Sequence, residues 1–152
     1  MKGKRFWMGI AVALVLALGA LWAALQGGPL ARGYAEAVFH WNRAAFEAAA
    51  GQSMEQGSSQ GTACPLGVGQ VKLWNNQETA VEFSMGAWGL GSSTRYWGIQ
   101  YVPSGELLGY QGAVLEGWRP DGAGWRWEEA EGDNHCFVQE LDWRWYYYEM
   151  YF

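Results

Sequence analysis

The sequence predicts an α+β protein with an N-terminal transmembrane helix and one amphipathic helix packed on a curved antiparallel sheet of five to seven strands. Three observations support this prediction. Residues 6–25 form an apolar run without a charge, residues 30–49 repeat apolar side chains at helical spacing, and apolar and polar residues alternate from residue 71 onward. The 152 residues suffice for one folded domain beside the apolar run.

The apolar run has the length of a membrane span. As a helix, its twenty residues would extend about 30 Å, which is the thickness of a bilayer core. A secretory signal has a shorter apolar region and small residues at its cleavage site, and residues 26–29 (QGGP) offer no clear site of that kind. The run therefore favours an uncleaved anchor, and a cleaved signal is the alternative.

The charges around the run predict its orientation. Three cations precede it, namely Lys2, Lys4 and Arg5, and the nearest cation after it is Arg32. Because cationic flanks stay in the cytoplasm, the N-terminus is predicted to be cytoplasmic. Residues 1–28 are then the cytoplasmic tip and single-pass anchor in the cell membrane, and residues 29–152 are an extracytoplasmic domain.

Small residues recur within the run at steps of three or four positions. They are Gly9, Ala13, Ala17, Ala20 and Ala24. Such a stripe allows close approach of another membrane helix, so it predicts helix association. The alternative is that an alanine-rich anchor shows the stripe by chance.

The second predicted helix follows Pro29, a residue that suits the first helical turn. At 100° per residue, one apolar arc contains Leu30, Tyr34, Val38, Trp41, Ala45, Ala48 and Ala49, and Phe39 and Phe46 widen this apolar face. Charged residues lie opposite, as in a helix with one face on a core. Gly51 is predicted to end this helix.

Seven later segments have strand-like patterns: 71–73, 81–85, 97–101, 107–115, 125–129, 137–141 and 143–152. Short polar connections separate them, among them the turn signal at residues 119–122 (RPDG). Short connections predict antiparallel pairing of consecutive strands in meander order.

Composition argues against several classes of function. From Pro29 onward the chain has 7 Lys and Arg against 15 Asp and Glu, which disfavours nucleic-acid binding because phosphate contacts need clustered cations. The acidic stretch at residues 128–135 (EEAEGDNH) lacks the order of a calcium loop and is predicted to be a solvated hairpin loop. The sequence predicts no metal, no cofactor and no catalytic residue, since His135 beside Cys136 is a neighbour in sequence only.

Cys64 and Cys136 are the two cysteines, and both follow the predicted anchor. An exported domain can form disulfides, so the pair is predicted to be joined. The bond would close a loop of about seventy residues and contribute about 4 kcal/mol by the chain-entropy estimate. Two buried free thiols are the alternative.

Aromatic residues are unusually frequent, with nine Trp and eight Tyr outside the anchor. In an extended C-terminal segment, one row consists of Trp143, Trp145, Tyr147 and Tyr151, and the other of Tyr146, Tyr148, Met150 and Phe152. An exposed edge this apolar would aggregate, which predicts a strand inside the sheet. Because Glu149 interrupts the first row, that row is predicted to be a partly exposed ligand or partner surface. The second row is predicted to pack on the helix, against residues such as Tyr34 and Trp41.

The segments GIQY at residues 98–101 and WYYYE at residues 145–149 resemble small uncharacterised membrane-anchored proteins of Gram-positive gut bacteria. This resemblance implies no activity and no site residues. The order of elements is similar to that of type IV pilins, but Gly3-Lys4-Arg5 is not a Gly-Phe or Gly-Met processing site, and the apolar run contains no Glu.

These features predict a membrane-anchored extracytoplasmic binding or interaction domain that has an aromatic-rich surface and is non-catalytic. A protein or a glycan is the predicted partner. The alternatives are a cell-wall or glycan-acting hydrolase, which would place carboxylates beside aromatic subsites, and a pilin-like structural subunit of a membrane complex.

Overall fold

The computed structural model describes residues 2–24, 27–90 and 93–152. It has two helices, α1 (Lys2–Ala24) and α2 (Gly28–Gln56). Seven strands follow: β1 (Gln70–Asn75), β2 (Thr79–Leu90), β3 (Ser93–Tyr101), β4 (Arg119–Asp121), β5 (Gly124–Glu128), β6 (His135–Asp142) and β7 (Trp145–Tyr151). The predicted α+β class and antiparallel sheet are confirmed.

The sheet consists of two antiparallel meanders that the C-terminal strand joins. Its order is β1-β2-β3-β7-β6-β5-β4, so β7 pairs with β3 on one side and with β6 on the other. The prediction of an interior C-terminal strand is confirmed. The prediction of one continuous meander is wrong, because the chain crosses from β3 to the far edge before β4 begins.

That crossing is made by residues 102–118, where the sequence predicted a strand at 107–115. The segment contains a 3₁₀ turn, Tyr110–Gly112, and one isolated bridge between Leu108 and Val114. Its apolar residues pack on the face of the sheet opposite α2, where they cover Tyr146, Tyr148 and Met150 of β7. Both faces of the sheet are therefore covered, which explains why β7 is aromatic on both sides.

Helix α2 packs on the other face, but it is rotated relative to the prediction. Its buried residues are Ala31, Ala35, Val38, Phe39, Phe46, Ala49, Ala50 and Ser53. Trp41, which the sequence placed on the core, is 87% exposed, and Leu30 and Tyr34 are also exposed. The phenylalanines face the sheet because aromatic rings meet them there: the Trp145 ring lies 5.1 Å from Phe39 and 6.1 Å from Phe46.

The C-terminal end of α2 also differs from the prediction. The helix continues through Gly51 to Gln56 and ends at Gly57, which has φ 61° and ψ 20°. This left-handed conformation is typical of a glycine that follows a helix. Asn42 interrupts the regular dihedrals, and its side-chain amide donates to the Val38 carbonyl at 3.0 Å. Such a bond competes with the backbone ladder and accompanies a kink.

Helix α1 exposes every described side chain between residues 7 and 22, including the small residues Gly9, Ala13, Ala17 and Ala20. Within the described part of the chain, no helix is both long and apolar enough to cross a membrane. The predicted span covers residues 6–25, and Leu25 and the side chain of Ala24 lie outside the described residues.

Both cysteines lie in the described part of the chain, and both are free thiols. Cys64 is exposed in the segment before β1, whereas Cys136 is buried in β6. The structure therefore corrects the prediction that the two residues are joined.

Candidate binding site

The four residues predicted to form an aromatic surface do not lie on one surface. Trp145 and Tyr147 are buried against α2, and Tyr147 is completely inaccessible. Trp143 is 70% exposed near the C-terminal part of α2, and Tyr151 is half-buried at the opposite end of β7. The predicted facing is therefore reversed, since the row of Trp145 and Tyr147 packs on the helix.

Glu149 explains this reversal. The sequence predicted that Glu149 lies on a partly exposed face, but its side chain is 3% exposed and accepts three hydrogen bonds. The donors are the Gly28 backbone N–H at 2.7 Å, the Tyr147 hydroxyl at 2.7 Å and the Tyr151 hydroxyl. These partners allow a carboxylate to lie within the interface of helix and sheet.

The bond to Gly28 places the Glu149 carboxylate at the N-terminus of α2. The residue at the N-cap position, Gly27, has no side chain that could accept from the first turn. A carboxylate from β7 supplies that acceptor, and its charge complements the positive end of the helix dipole. Sequence reasoning missed the pair because the two residues are 121 positions apart.

A row of three side chains crosses the sheet at the same end. In the strand register, Tyr151 of β7 is opposite Arg95 of β3 and His135 of β6. The Arg95 guanidinium carbon lies 4.4 Å from the Tyr151 ring centroid, and the His135 ring stacks on Tyr151 at 4.0 Å. The Tyr151 ring is thus held between a cation and an imidazole. Burial, followed by the bond to Glu149, raises the pKa of Tyr151, so its hydroxyl keeps the proton that it donates.

An open cavity of about 420 Å³ adjoins this row. Its aromatic lining residues are Trp88, Tyr151 and Phe152, and its polar ones are Ser93, Thr94, Arg95, Asp133 and His135. The cavity lies where α2 begins, because Gly28 and Tyr151 share the Glu149 carboxylate. Of this set, only Tyr151 was predicted from the sequence to lie on a binding surface.

The hydrogen bond of His135 shows which of its ring nitrogens carries a hydrogen. The ring Nδ1 lies 3.1 Å from the backbone carbonyl oxygen of Asp133. A carbonyl can only accept, so Nδ1 carries a hydrogen, and in the neutral ring Nε2 is an acceptor. The cavity therefore combines acceptors on His135 and Asp133 with donors on Arg95.

A second cavity, of about 310 Å³, lies at the opposite end of the sheet. Trp143, Trp145 and Tyr101 line it together with Met54 of α2. The Arg144 guanidinium carbon lies 5.2 Å from the Trp143 ring, and Arg144 has a left-handed φ of 66° in the turn between β6 and β7. Trp143 and Tyr151, the two ends of the predicted aromatic surface, thus belong to two separate cavities.

The cysteine beside His135 lies on the other side of the sheet. Successive strand residues alternate in direction, so His135 stacks on Tyr151 while Cys136 packs with Val138 and Tyr148 on the opposite face. Burial raises the pKa of the Cys136 thiol to about 12, so this thiol is a poor nucleophile. Among the described residues, no group of three or more His, Cys, Asp or Glu could hold a metal ion.

Comparison with known proteins gives no relative: no protein family matches the chain, and no curated protein or solved structure is significantly similar to it.

Proposed function

We propose that the protein is a membrane-anchored binding domain that acts without catalysis and receives its ligand or partner in the cavity beside Tyr151. The observation that carries this proposal is the lining of that cavity. It combines the exposed indole of Trp88 with Arg95, Asp133 and His135 in a concave volume of about 420 Å³. Binding sites typically have such a lining, in which a few polar groups converge on aromatic walls.

We further propose that residues 6–25 hold the chain in the cell membrane, with the N-terminus in the cytoplasm and residues 29–152 outside. The support is that residues 7–22 expose apolar side chains all around α1, with Trp7 near one end and Trp22 near the other. A helix that is apolar on every side requires an apolar environment or a partner. Association through the stripe of Gly9, Ala13, Ala17, Ala20 and Ala24 stays part of this proposal.

A photo-crosslinking amino acid placed at position 88, in cells that express the full chain, tests the binding site. Position 143 is the matched control, because Trp143 is also an exposed tryptophan but lies at the other end of the sheet. Adducts at position 88 that are absent at position 143 would support the proposal. Equal adducts at both positions, or none at position 88, would refute it.

Membrane fractionation of the full chain tests the anchor. The protein should stay with the membrane in alkaline carbonate and leave it in detergent. A Leu14→Lys, Leu18→Lys variant, which places two cations within the apolar run, should shift to the soluble fraction because buried charge in a bilayer is costly. Release of the unmodified chain by carbonate alone would contradict the anchor.

A further inference from the structure

We propose that the ligand of the cavity beside Tyr151 is an uncharged sugar ring, which stacks on Trp88 and bonds through its hydroxyl groups to Asp133 and Arg95. This inference rests on the proposed function, since it names the class of ligand for the same cavity. Four properties of the cavity support it: its charge balance, its hydrogen-bonding groups, the exposed indole of Trp88 and its position in the sheet.

The charge balance favours an uncharged ligand. The lining contains one guanidinium, on Arg95, and one carboxylate, on Asp133. An anionic ligand would meet Asp133 and the overall negative charge of residues 29–152, which have 15 Asp and Glu against 7 Lys and Arg. A cationic ligand would meet Arg95. A ligand without charge is compatible with both side chains.

The hydrogen-bonding groups favour hydroxyls over a purely apolar ligand. The cavity offers a donor on Arg95 and acceptors on Asp133 and His135, and the Ser93 and Thr94 hydroxyls can do either. An apolar ligand would remove these groups from water without compensation. A sugar hydroxyl both donates and accepts, so neighbouring hydroxyls can bond to groups of opposite kind.

Trp88 provides the aromatic surface. The Tyr151 ring is already held between Arg95 and His135, so its faces are occupied. Trp88 is 57% exposed and lines the same cavity. The face of an indole is electron-rich, and it attracts the weakly positive C–H groups that one face of a sugar ring presents.

The position of the cavity argues against an extended peptide as the ligand. Peptides that add to a sheet need a free strand edge, and the edge strands here are β1 and β4. The cavity instead lies at the ends of β3, β7 and β6, in the middle of the sheet. Its volume of about 420 Å³ falls in the range of small-molecule pockets, which is about 300–1,000 Å³.

Titration calorimetry on the full chain in lipid nanodiscs tests the inference. The probes are maltotriose, cellotriose and tri-N-acetylchitotriose in solution, and glucosyl-diacylglycerol included in the nanodisc. At least one should bind with a Kd below about 10 mM. Binding of a soluble probe indicates free glycan as the source, and binding of the glycolipid alone indicates a sugar carried on lipid; either result supports the inference.

Three variants connect binding to the cavity. Trp88→Ala and Asp133→Asn should each raise Kd by about tenfold or more, whereas Trp143→Ala, the matched control, should change it by less than about twofold. All three side chains are exposed, so we expect the variants to fold normally. Melting temperatures equal to that of the unmodified chain would verify this. No binding by any probe, equal binding by Trp88→Ala, or tighter binding of a sulfated trisaccharide would overturn the inference.

The experiments distinguish failure of the sugar inference from failure of the proposed binding function. A protein adduct at position 88 without sugar binding would overturn the sugar inference and leave the binding function standing. The absence of both adduct and sugar binding would overturn both proposals.

Discussion

Replacement of Glu149 by glutamine tests whether a strand carboxylate stabilises the start of α2. In either orientation of the new side-chain amide, one carboxylate oxygen becomes an NH₂ group. The backbone N–H of Gly28 cannot reverse its polarity, so the retained oxygen must face Gly28 and Tyr147, whose donors lie 2.7 Å from the same oxygen now. The NH₂ group then faces the Tyr151 hydroxyl, which must rotate and accept.

The expected loss follows from three terms. A hydrogen bond to a charged group contributes about 1.5–3 kcal/mol and a neutral one about 0.5–1.5 kcal/mol, so the bonds from Gly28 and Tyr147 each weaken by about 1 kcal/mol. Loss of the charge at the helix N-terminus removes about 0.3–1 kcal/mol. Smaller desolvation of the neutral amide opposes these losses. We expect Glu149→Gln to lower the free energy of unfolding by about 2 kcal/mol, or about 4–8 °C in Tm at this length.

Urea unfolding of the full chain in detergent, followed by near-ultraviolet circular dichroism, measures this loss. Glu140→Gln, at an exposed position of β6, is the matched control, and it should change the free energy by less than about 0.5 kcal/mol. Tyr147→Phe removes one donor, and the double variant with Glu149→Gln should lose less than the sum of the two single losses. An unchanged or more stable Glu149→Gln protein would refute the reasoning, because desolvation would then outweigh the bonds.

Three further predictions concern other parts of the fold. Burial raises the pKa of Glu82, so the folded protein holds this proton to higher pH than the unfolded chain, and stability should fall as pH rises through that pKa. In urea unfolding at pH 5 and pH 8, Glu82→Gln should reduce this fall; an unchanged difference between the two pH values would contradict the assignment. A maleimide that cannot cross membranes should label exposed Cys64 in intact cells and leave buried Cys136 unlabelled until denaturation; labelling of Cys64 only after lysis would reverse the proposed topology. Trp145→Ala should cost about 3–5 kcal/mol of stability, whereas Trp41→Ala should cost less than about 0.5 kcal/mol, and similar losses in the two variants would contradict the observed rotation of α2.

The local patterns of the sequence predicted the kinds of elements well. Period-two alternation identified six of the seven described antiparallel strands, but it missed β4 and wrongly predicted a strand at 107–115. Two aromatic rows on one segment predicted that β7 lies inside the sheet. The rotation of α2 could not be predicted in the same way. The helix is rich in alanine, so the arc of Leu30 and Trp41 and the arc of Phe39 and Phe46 are both apolar. The sheet decides between them, because the rings that meet the phenylalanines come from β2 and β7.

The candidate site was harder to predict because strand order creates it. Arg95, His135 and Tyr151 lie on three strands, and they become neighbours only because β7 enters between β3 and β6. Residues 128–135 were predicted to be a solvated loop, which is the ordinary structure of an acidic hairpin. Nothing local to that segment indicates that Asp133 and His135 line a cavity.

The central position of β7 also sets an order of events during biosynthesis. Strands β1–β3 and β4–β6 can each pair locally, but no described strand other than β7 pairs with both halves. Until β7 has been synthesised, the buried face of α2 lacks Trp145 and Tyr147, and Gly28 lacks its acceptor 121 residues away. Contacts this distant in sequence form slowly, so the nascent chain exposes apolar surface until β7 has left the ribosome and paired with both halves.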